Sequence, residues 1–563
     1  MSDRMHPIPF EQMLEWMTKE WKDNGTIFGC HKIYTADVNR SESFLGRKLE
    51  TPIGPAAGPH TQLAQNIVSA YLCGGRFFEL KTVQIIDGED LVVNKPCILA
   101  EDEGYNCEWS TELTVQEAFE EYVKGWFLVH FLAKEMALGE QDGFVFNMSV
   151  GYDLEGIKSS KVDGFIENMK DASETDIFKN CKKQLLAFVP KCKQMTEEDV
   201  EAISPHIANN VTISTMHGCP AGEIEKIAQY LIQEKGLNLY LKCNPTLMGY
   251  EYCRKTLDDL NFNYIQFDRE YFENDLQYED AVPMLRRLKE IAKQQGTFFG
   301  VKLTNTFPVK VTKNELPDET MYMSGRTLLP ISLAVAEKLS DEFEGQLPLS
   351  YCGGVSARNI SDILGSGLYP VTVCTDLLKP GGYHRLNSMV LNAEHNDWHQ
   401  QKVTDSQKLG NIAKSLCEFA KTSEIRRPDK TAHLEIKADC KTACGSCATL
   451  CPNRANVIIM VEGHKQMLHL DGLCNECGNC ASFCPEKKAP YLEKLTLFSS
   501  EEGFKQSAND GFFAKNDRHD KFDVRWKGQV MDYTLNDKDL MIDEFLKAVI
   551  QAVIKDYAYL MYR

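Results

Sequence analysis

Eight of the chain's 20 cysteines fall in two tight runs near the C-terminus. The first is Cys440, Cys444, Cys447 and Cys451, followed by Pro452; the second is Cys474, Cys477, Cys480 and Cys484, followed by Pro485. The second reads C-x2-C-x2-C-x3-C-P, the bacterial ferredoxin spacing for a [4Fe–4S] cluster, and the first repeats it with one extra residue in its opening gap. Three thiolates from one loop bind three irons of a cube, and the fourth iron needs a ligand from elsewhere. In two-cluster ferredoxins the Cys before Pro crosses to the other cluster. The expected sets are therefore Cys440, Cys444, Cys447 and Cys484 for one cubane, and Cys474, Cys477, Cys480 and Cys451 for the other. A zinc ribbon would want two Cys pairs far apart instead. The twelve remaining cysteines show no pattern and read as reduced thiols in a cytoplasmic protein. An iron–sulfur pair conducts electrons one at a time.

Something must receive those electrons, and the longer N-terminal part is the place to seek it. Eight strand candidates begin near Thr51, Phe77, Phe144, Val211, Leu237, Phe298, Leu347 and Pro370. Helical stretches such as IEKIAQYLIQEK and ISLAVAEKLSDEF separate them. Eight strand–helix alternations predict an α/β fold, a (β/α)8 barrel with its site at the strand C-terminal ends. Lys81, Asn147, Lys242, Asn305, Gly353–Gly354 and Thr375 end these strands. The CGG at 352–354 and CTD at 374–376 follow strands seven and eight, where such barrels bind phosphate.

The expected organisation is a barrel over 1–395, a polar linker over 396–436, a two-cluster ferredoxin-like module over 437–495 and a C-terminal extension over 496–563. The extension closes on an amphipathic helix, about 540–562, with Leu546, Val549, Ile550, Val553, Ile554 and Tyr557 on one face. That stripe predicts docking on this chain or on a second copy; Lys547 and Lys555 interrupt any spanning run. With 43% hydrophobic residues the chain can bury a full core. A net charge of −19 argues against nucleic acid, whose affinity is built on Lys and Arg. Met1–Phe10 lacks the apolar core of a signal peptide, and the uncharged stretch 51–75 holds prolines, His60 and amides, so no membrane span is expected.

The barrel resembles the FMN-binding dihydroorotate and dihydropyrimidine dehydrogenases. TPIGPAAG, GGRFFELKTV, GCP after strand four, TNT after strand six and CGG…VTVCTDLL occur in that family's order. The wording YNCEWSTEL, NMSVGYDLEGI and STMHGCPAGEIEKIAQYL is more similar to the N-terminal part of the YgfK family. That family is often labelled a selenate reductase subunit and is associated with anaerobic purine breakdown. The resemblance spans roughly residues 45–490.

It implies that Ala56, Ala57 and Gly58 pass under a flavin ring, and that Lys81 stands beside the isoalloxazine with Thr82. Asn147 and Lys242 match further flavin contacts, with Lys302 as a rival to Lys242. Gly353, Gly354, Cys374 and Thr375 would complete the FMN site. Asn106 and Glu108, with Asn305 and Thr306, match the residues that hold a heterocycle. Cys219 matches the general acid, and His217 in the same turn could tune it or relay its proton. Two positions depart from the pattern: Met216 replaces an Asn three residues before the Cys, and Ala221 follows Pro220. A lost ring contact argues against plain uracil or thymine.

The sequence carries no G-x-G-x-x-G after a strand. The expected electron donor is thus a separate FAD/NAD(P)H flavoprotein subunit or a ferredoxin, within an oligomer or multi-subunit complex. The expected function is FMN- and iron–sulfur-dependent reduction of a C=C or C=N bond in an oxidised purine- or pyrimidine-like ring. The alternative is an electron-transfer subunit that bridges clusters to a catalytic partner such as a molybdenum hydroxylase; Met216 and the long excursion at 150–205 lean that way.

Overall fold

The computed structural model describes residues 4–562, apart from 89, 102, 109, 215–216, 395–397, 399–402, 423–443 and 536–541. Eight parallel strands form the barrel: β1 (Ile53–Pro55), β2 (Phe77–Glu79), β3 (Val145–Val150), β4 (Asn210–Ser214), β5 (Asn238–Cys243), β6 (Phe299–Leu303), β7 (Leu349–Tyr351) and β8 (Val371–Val373). Each starts within two residues of its expected position. The spatial order is β1-β8-β7-β6-β5-β4-β3-β2. At the seam the Arg76 N–H donates to the Ile53 carbonyl at 2.9 Å. Gly54 permits that approach, since a Cβ there would lie 1.6 Å from the Phe77 carbonyl oxygen. β3 is buried along its whole length, as expected of a strand covered on both faces.

The connecting helices wrap the strands. Val115–Glu135 is the longest, and the Thr114 and Glu117 side chains cap its start reciprocally. The excursion at 150–205 folds into four further helices, Leu154–Lys158, Ser160–Lys170, Asp176–Phe188 and Glu197–Glu201. Below the barrel, the hairpin Glu42–Phe44/Arg47–Leu49 puts Phe44 against Phe77, Phe298 and Tyr369, closing the N-terminal end. Above it, the loops after β2 and β6 form a four-stranded antiparallel canopy. Its order is Phe307–Lys310, Thr320–Gly325, Glu103–Asn106, Ile98–Ala100. A separate aromatic core with Phe262, Phe267, Phe272 and Phe307 fixes it.

Two expected boundaries are crossed by packing. The stretch expected as linker carries the helix Ser406–Thr422, which lies along Leu329–Glu342 with Leu409 fully buried. The cysteine-rich module and the extension share one six-stranded sheet: β9 (Asn456–Val461), β10 (His464–Leu470), β11 (Thr496–Phe498), β12 (Gly511–Ala514), β13 (Lys521–Trp526) and β14 (Gln529–Thr534). β10 pairs with β11 in parallel across the position expected as a domain border. The final helix, Glu544–Asp556, buries Leu546, Val549, Ile550 and Val553 against β9, so its stripe docks on this chain. The N-terminal helix, Phe10–Asn24, joins the same assembly: Gln12 donates to the Tyr559 carbonyl at 2.8 Å, and Trp16 packs on the Tyr559 ring. Among the described residues no helix is long and apolar enough to cross a membrane.

Candidate functional site

A cavity of about 1060 Å³ opens at the C-terminal ends of the barrel strands, under the canopy. Ala56, Ala57 and Gly58, after β1, form part of its wall beside Cys374, after β8. A Cβ at Gly58 would lie 2.9 Å from the Cys374 sulfur, so only a backbone-thin segment passes there. Lys81 and Thr82, after β2, and Lys242, on β5, also line the cavity.

The charge layer beneath explains which lysine is available. Lys242 and Lys302 are register partners on β5 and β6, so strand alternation turns both inward. Lys302, the deeper, is 3.0 Å from Glu79 and donates to Thr372 at 2.5 Å; Lys242 stands 3.8 Å from Glu79 and reaches the cavity. Burial alone would raise the Glu79 carboxyl, but Lys302 and then Lys242 hold it down at about 2. Asn147 is not on the cavity wall. It points into the barrel interior, donates to Thr212 (2.8 Å) and Met148 (3.0 Å), and accepts from Asn210 (2.8 Å). The amide expected to contact flavin is thus engaged with the chain, off the cavity wall.

The loops after β7 and β8 meet at one side. Gly353 and Gly354 both have φ in the left-handed region, at +125° and +70°. A Cβ on Gly354 would lie 2.6 Å from the Gly325 carbonyl oxygen and from the Leu329 Cβ. Among the described residues, the N–H groups of these two glycines donate to no group of the chain. Thr375 bonds Ser324 of the canopy at 2.8 Å. Seven lysines and arginines line the cavity against three carboxylates, in a chain of net charge −19. A positive hollow in an acidic protein focuses anions, and unengaged glycine amides suit a phosphate. Lys408 and Ser415, from the helix expected as linker, extend this rim.

Across the cavity stands a polar network that joins His217, Asn305 and Thr306, expected from the sequence, to Asp275, Asn244 and Thr246, which were not. His217 lines the wall, its Nδ1 2.8 Å from Asp275 and its Nε2 3.3 Å from the Thr306 carbonyl. Asp275 also accepts from the Gly218 N–H (2.6 Å), Thr246 (2.7 Å) and Asn244 (3.1 Å). Burial would raise its carboxyl, but the hydrogen bond and charge of His217, then the Gly218 and Thr246 bonds, hold it below the ordinary value. Asn244 in turn accepts from Asn305 at 2.9 Å. Asn305 and Thr306 line the cavity, and Tyr322 of the canopy stacks parallel to His217 at 6.2 Å. No short-range motif links His217 to Asp275; only the fold joins them.

Cys219 does not line the cavity. It is half-buried and packs against the main apolar core. Burial, then the charges of Glu223, Asp153 and Asp275, push its thiol up to about 11. Of the two candidates in that turn, His217 is the one that reaches the cavity. Met216 lies outside the described residues.

Asn106 and Glu108 enter from the canopy strand and the turn after it, and both line the cavity. Glu108 is 5% exposed and 3.2 Å from Lys81, yet neither of its carboxylate oxygens accepts an aligned hydrogen bond. A buried carboxylate without donors is costly unless something else supplies them.

The cysteine runs approach this cavity from one side. The Cys477 carbonyl accepts from the Cys97 and Ile98 N–H groups at 3.1 and 2.9 Å, and Ile98 lines the cavity. Asn479 donates to the carbonyls of Leu378, also on the wall, and Leu450. The Pro452 carbonyl accepts from Asn66 (2.8 Å) and Tyr383 (2.9 Å) of the barrel. Burial and then the Cys451 and Cys480 sulfurs push the Cys474 thiol well up, and Cys451 acts likewise on Cys477 and Cys480. Cys451 is thus charge-coupled to the three cysteines of the second run with which the sequence groups it. Of the other set, Cys447 is buried, Cys484 half-buried and Cys444 exposed, while Cys440 lies outside the described residues.

Comparison with known proteins agrees with this architecture. The family described as the oxidoreductase YgfK, N-terminal TIM-barrel domain, matches residues 28–424. The YgfK proteins of Escherichia coli strain K12 and of Escherichia coli O157:H7 are each 44% identical over 474 residues, covering 81% of this chain. The matched part is 46% of their length, so the chain spans about half of the curated relatives it matches. A barrel with a positive, canopied cavity, matched over most of its length, belongs to the YgfK family of oxidoreductases.

Proposed function

We propose that the chain is an FMN- and iron–sulfur-dependent oxidoreductase subunit that reduces a C=C or C=N bond in an oxidised purine- or pyrimidine-like ring. The observation that carries this reading is Glu108, a buried carboxylate on the cavity wall without an aligned donor. A ring edge that alternates N–H and C=O would give Glu108 its donors and would pair with the amides of Asn106 and Asn305. The positive lining favours an electron-poor or anionic ring.

In this reading Ala56, Ala57, Gly58, Lys81, Thr82, Lys242 and Cys374 hold the flavin ring system, and Gly353, Gly354 and Thr375 its phosphate. The two cysteine sets hold [4Fe–4S] clusters. Bound FMN would supply a hydride, and the clusters single electrons. Lys81 places a cation where negative charge gathers. His217 gives a proton to the reduced ring and regains it from solvent through its 20% exposed side chain. Asp275 stays ionised, fixes the imidazole and steadies its charged form. The canopy excludes water. An FAD- and NAD(P)H-binding unit or a ferredoxin is the donor.

The test is anaerobic purification followed by a panel of oxidised purines and pyrimidines with reduced viologen. Ring reduction by the chain supports the reading. Inertness toward every ring, with rapid electron passage from viologen to a catalytic partner, replaces it with the electron-bridge role. The absence of Cys219 from the wall is the observation on that side.

A further inference from the structure

We propose a mononuclear zinc site built from Cys30, Cys73 and His384, separate from both cysteine runs. One donor atom from each lies within 4.8 Å of the others, and all three residues are buried. The donors arrive from three distant segments. Cys30 closes a tight turn after the N-terminal helix, where Ile27 and Cys30 exchange backbone hydrogen bonds. Cys73 follows the barrel helix Ala64–Leu72, and His384 opens the helix His384–Ala393.

Two thiolates and one imidazole are a donor set for zinc, which prefers sulfur and nitrogen in a tetrahedron. With Zn–S bonds of about 2.3 Å, two sulfurs of a tetrahedron stand about 3.8 Å apart, inside the observed envelope. Both cysteines are free thiols. The fourth position falls to a water, and His384 Nε2, which accepts from the His31 backbone N–H at 3.1 Å, would exchange that bond for the ion if it is the ring nitrogen that binds.

The surroundings prepare the donors. The Arg454 guanidinium donates to the Cys30 sulfur at 2.8 Å, an outer hydrogen bond that holds a thiolate in place. Its other groups face the Ala448 and Thr449 carbonyls, Ser69 and the Tyr383 ring, so this charge is itself supported. A zinc ion held by two thiolates and a neutral imidazole would form a site of no net charge. The ion would tie the N-terminal segment, the barrel and, through Arg454, the turn after Cys451.

The test is metal analysis of the anaerobically purified full chain, with X-ray absorption at the zinc edge. The expected result is one zinc per chain, with two sulfur neighbours at about 2.3 Å and nitrogen or oxygen at about 2.0–2.1 Å. Cys30→Ser, Cys73→Ser and His384→Gln should each lose that zinc and keep the iron. Zinc no higher than the buffer background overturns the proposal. So does an all-oxygen and nitrogen shell, the mark of adventitious metal, or a four-sulfur shell, the mark of zinc in the cysteine runs. The absorption spectrum needs no variant, so a misfolded substitution leaves the proposal exposed to failure.

Discussion

His217 and Cys219 share one turn, and their surroundings assign them different work. The imidazole reaches the cavity with an ionised Asp275 behind it; the thiol lies off the wall at about 11. We expect His217→Gln to slow ring reduction by about 10²–10⁴-fold, the range for losing a general acid. Asp275→Asn should lose less, because the imidazole remains. Cys219→Ala should stay within about tenfold of the parent, below that range. Single-turnover oxidation of the reduced protein by substrate, followed at the flavin band, reads all three. A dead Cys219→Ala beside an active His217→Gln would return the role to the thiol. Glu108→Gln tests the other side of the ring. Removing a charge-assisted bond worth about 1.5–3 kcal/mol should lower kcat/KM about 10–100-fold with flavin content unchanged. Unaltered kcat/KM would take Glu108 out of ring recognition.

The barrel strands hold a charged layer where a barrel interior is more often aliphatic. Glu79 lies between Lys302 and Lys242, all three nearly or fully buried. The folded carboxyl, at about 2, sits below the unfolded value of about 4.3. Its contribution to stability is therefore complete above about pH 4.3 and is lost as pH falls toward 2. Glu79→Gln strands two buried ammonium groups and should cost about 3–5 kcal/mol near neutrality. In denaturant titrations the gap between parent and variant should narrow from pH 5 to pH 3.5. A gap independent of pH would mean that the glutamate acts by shape and not by charge. This layer also marks the limit of what the sequence discloses. The eight strands were readable because each is a compact apolar run set off by helical stretches. The canopy was not, because segments such as EGYN and FPVK are short and carry no alternation. Strand alternation could not rank Lys242 against Lys302, since both face inward; depth ranked them. Asp275 and the Cys30–Cys73–His384 group escaped because long chain separations leave no spacing to recognise.

At the scale of the molecule, the two cysteine runs differ in what they touch. The Cys477 carbonyl holds Cys97 and Ile98, and Asn479 holds Leu378; Ile98 and Leu378 belong to the cavity wall. Cys444 is exposed, and its sulfur lies 3.5 Å from the Ser446 hydroxyl. If the runs carry cubanes, losing one has unequal consequences. Cys444→Ala should remove about four irons and leave flavin bound, because neither Cys444 nor Ser446 is on the cavity wall. Cys477→Ala should remove a similar amount of iron and also weaken flavin retention. The loop that loses its metal would release the Cys97–Ile98 segment, and with it one edge of the canopy. Iron and flavin contents of the two variants, measured after the same anaerobic desalting, decide between these outcomes. Equal flavin in both would mean that the canopy holds its shape without the second run, and that the junction transmits electrons without supporting the cavity. Flavin lost in Cys444→Ala but kept in Cys477→Ala would reverse the order of the two sets and place the first run against the flavin.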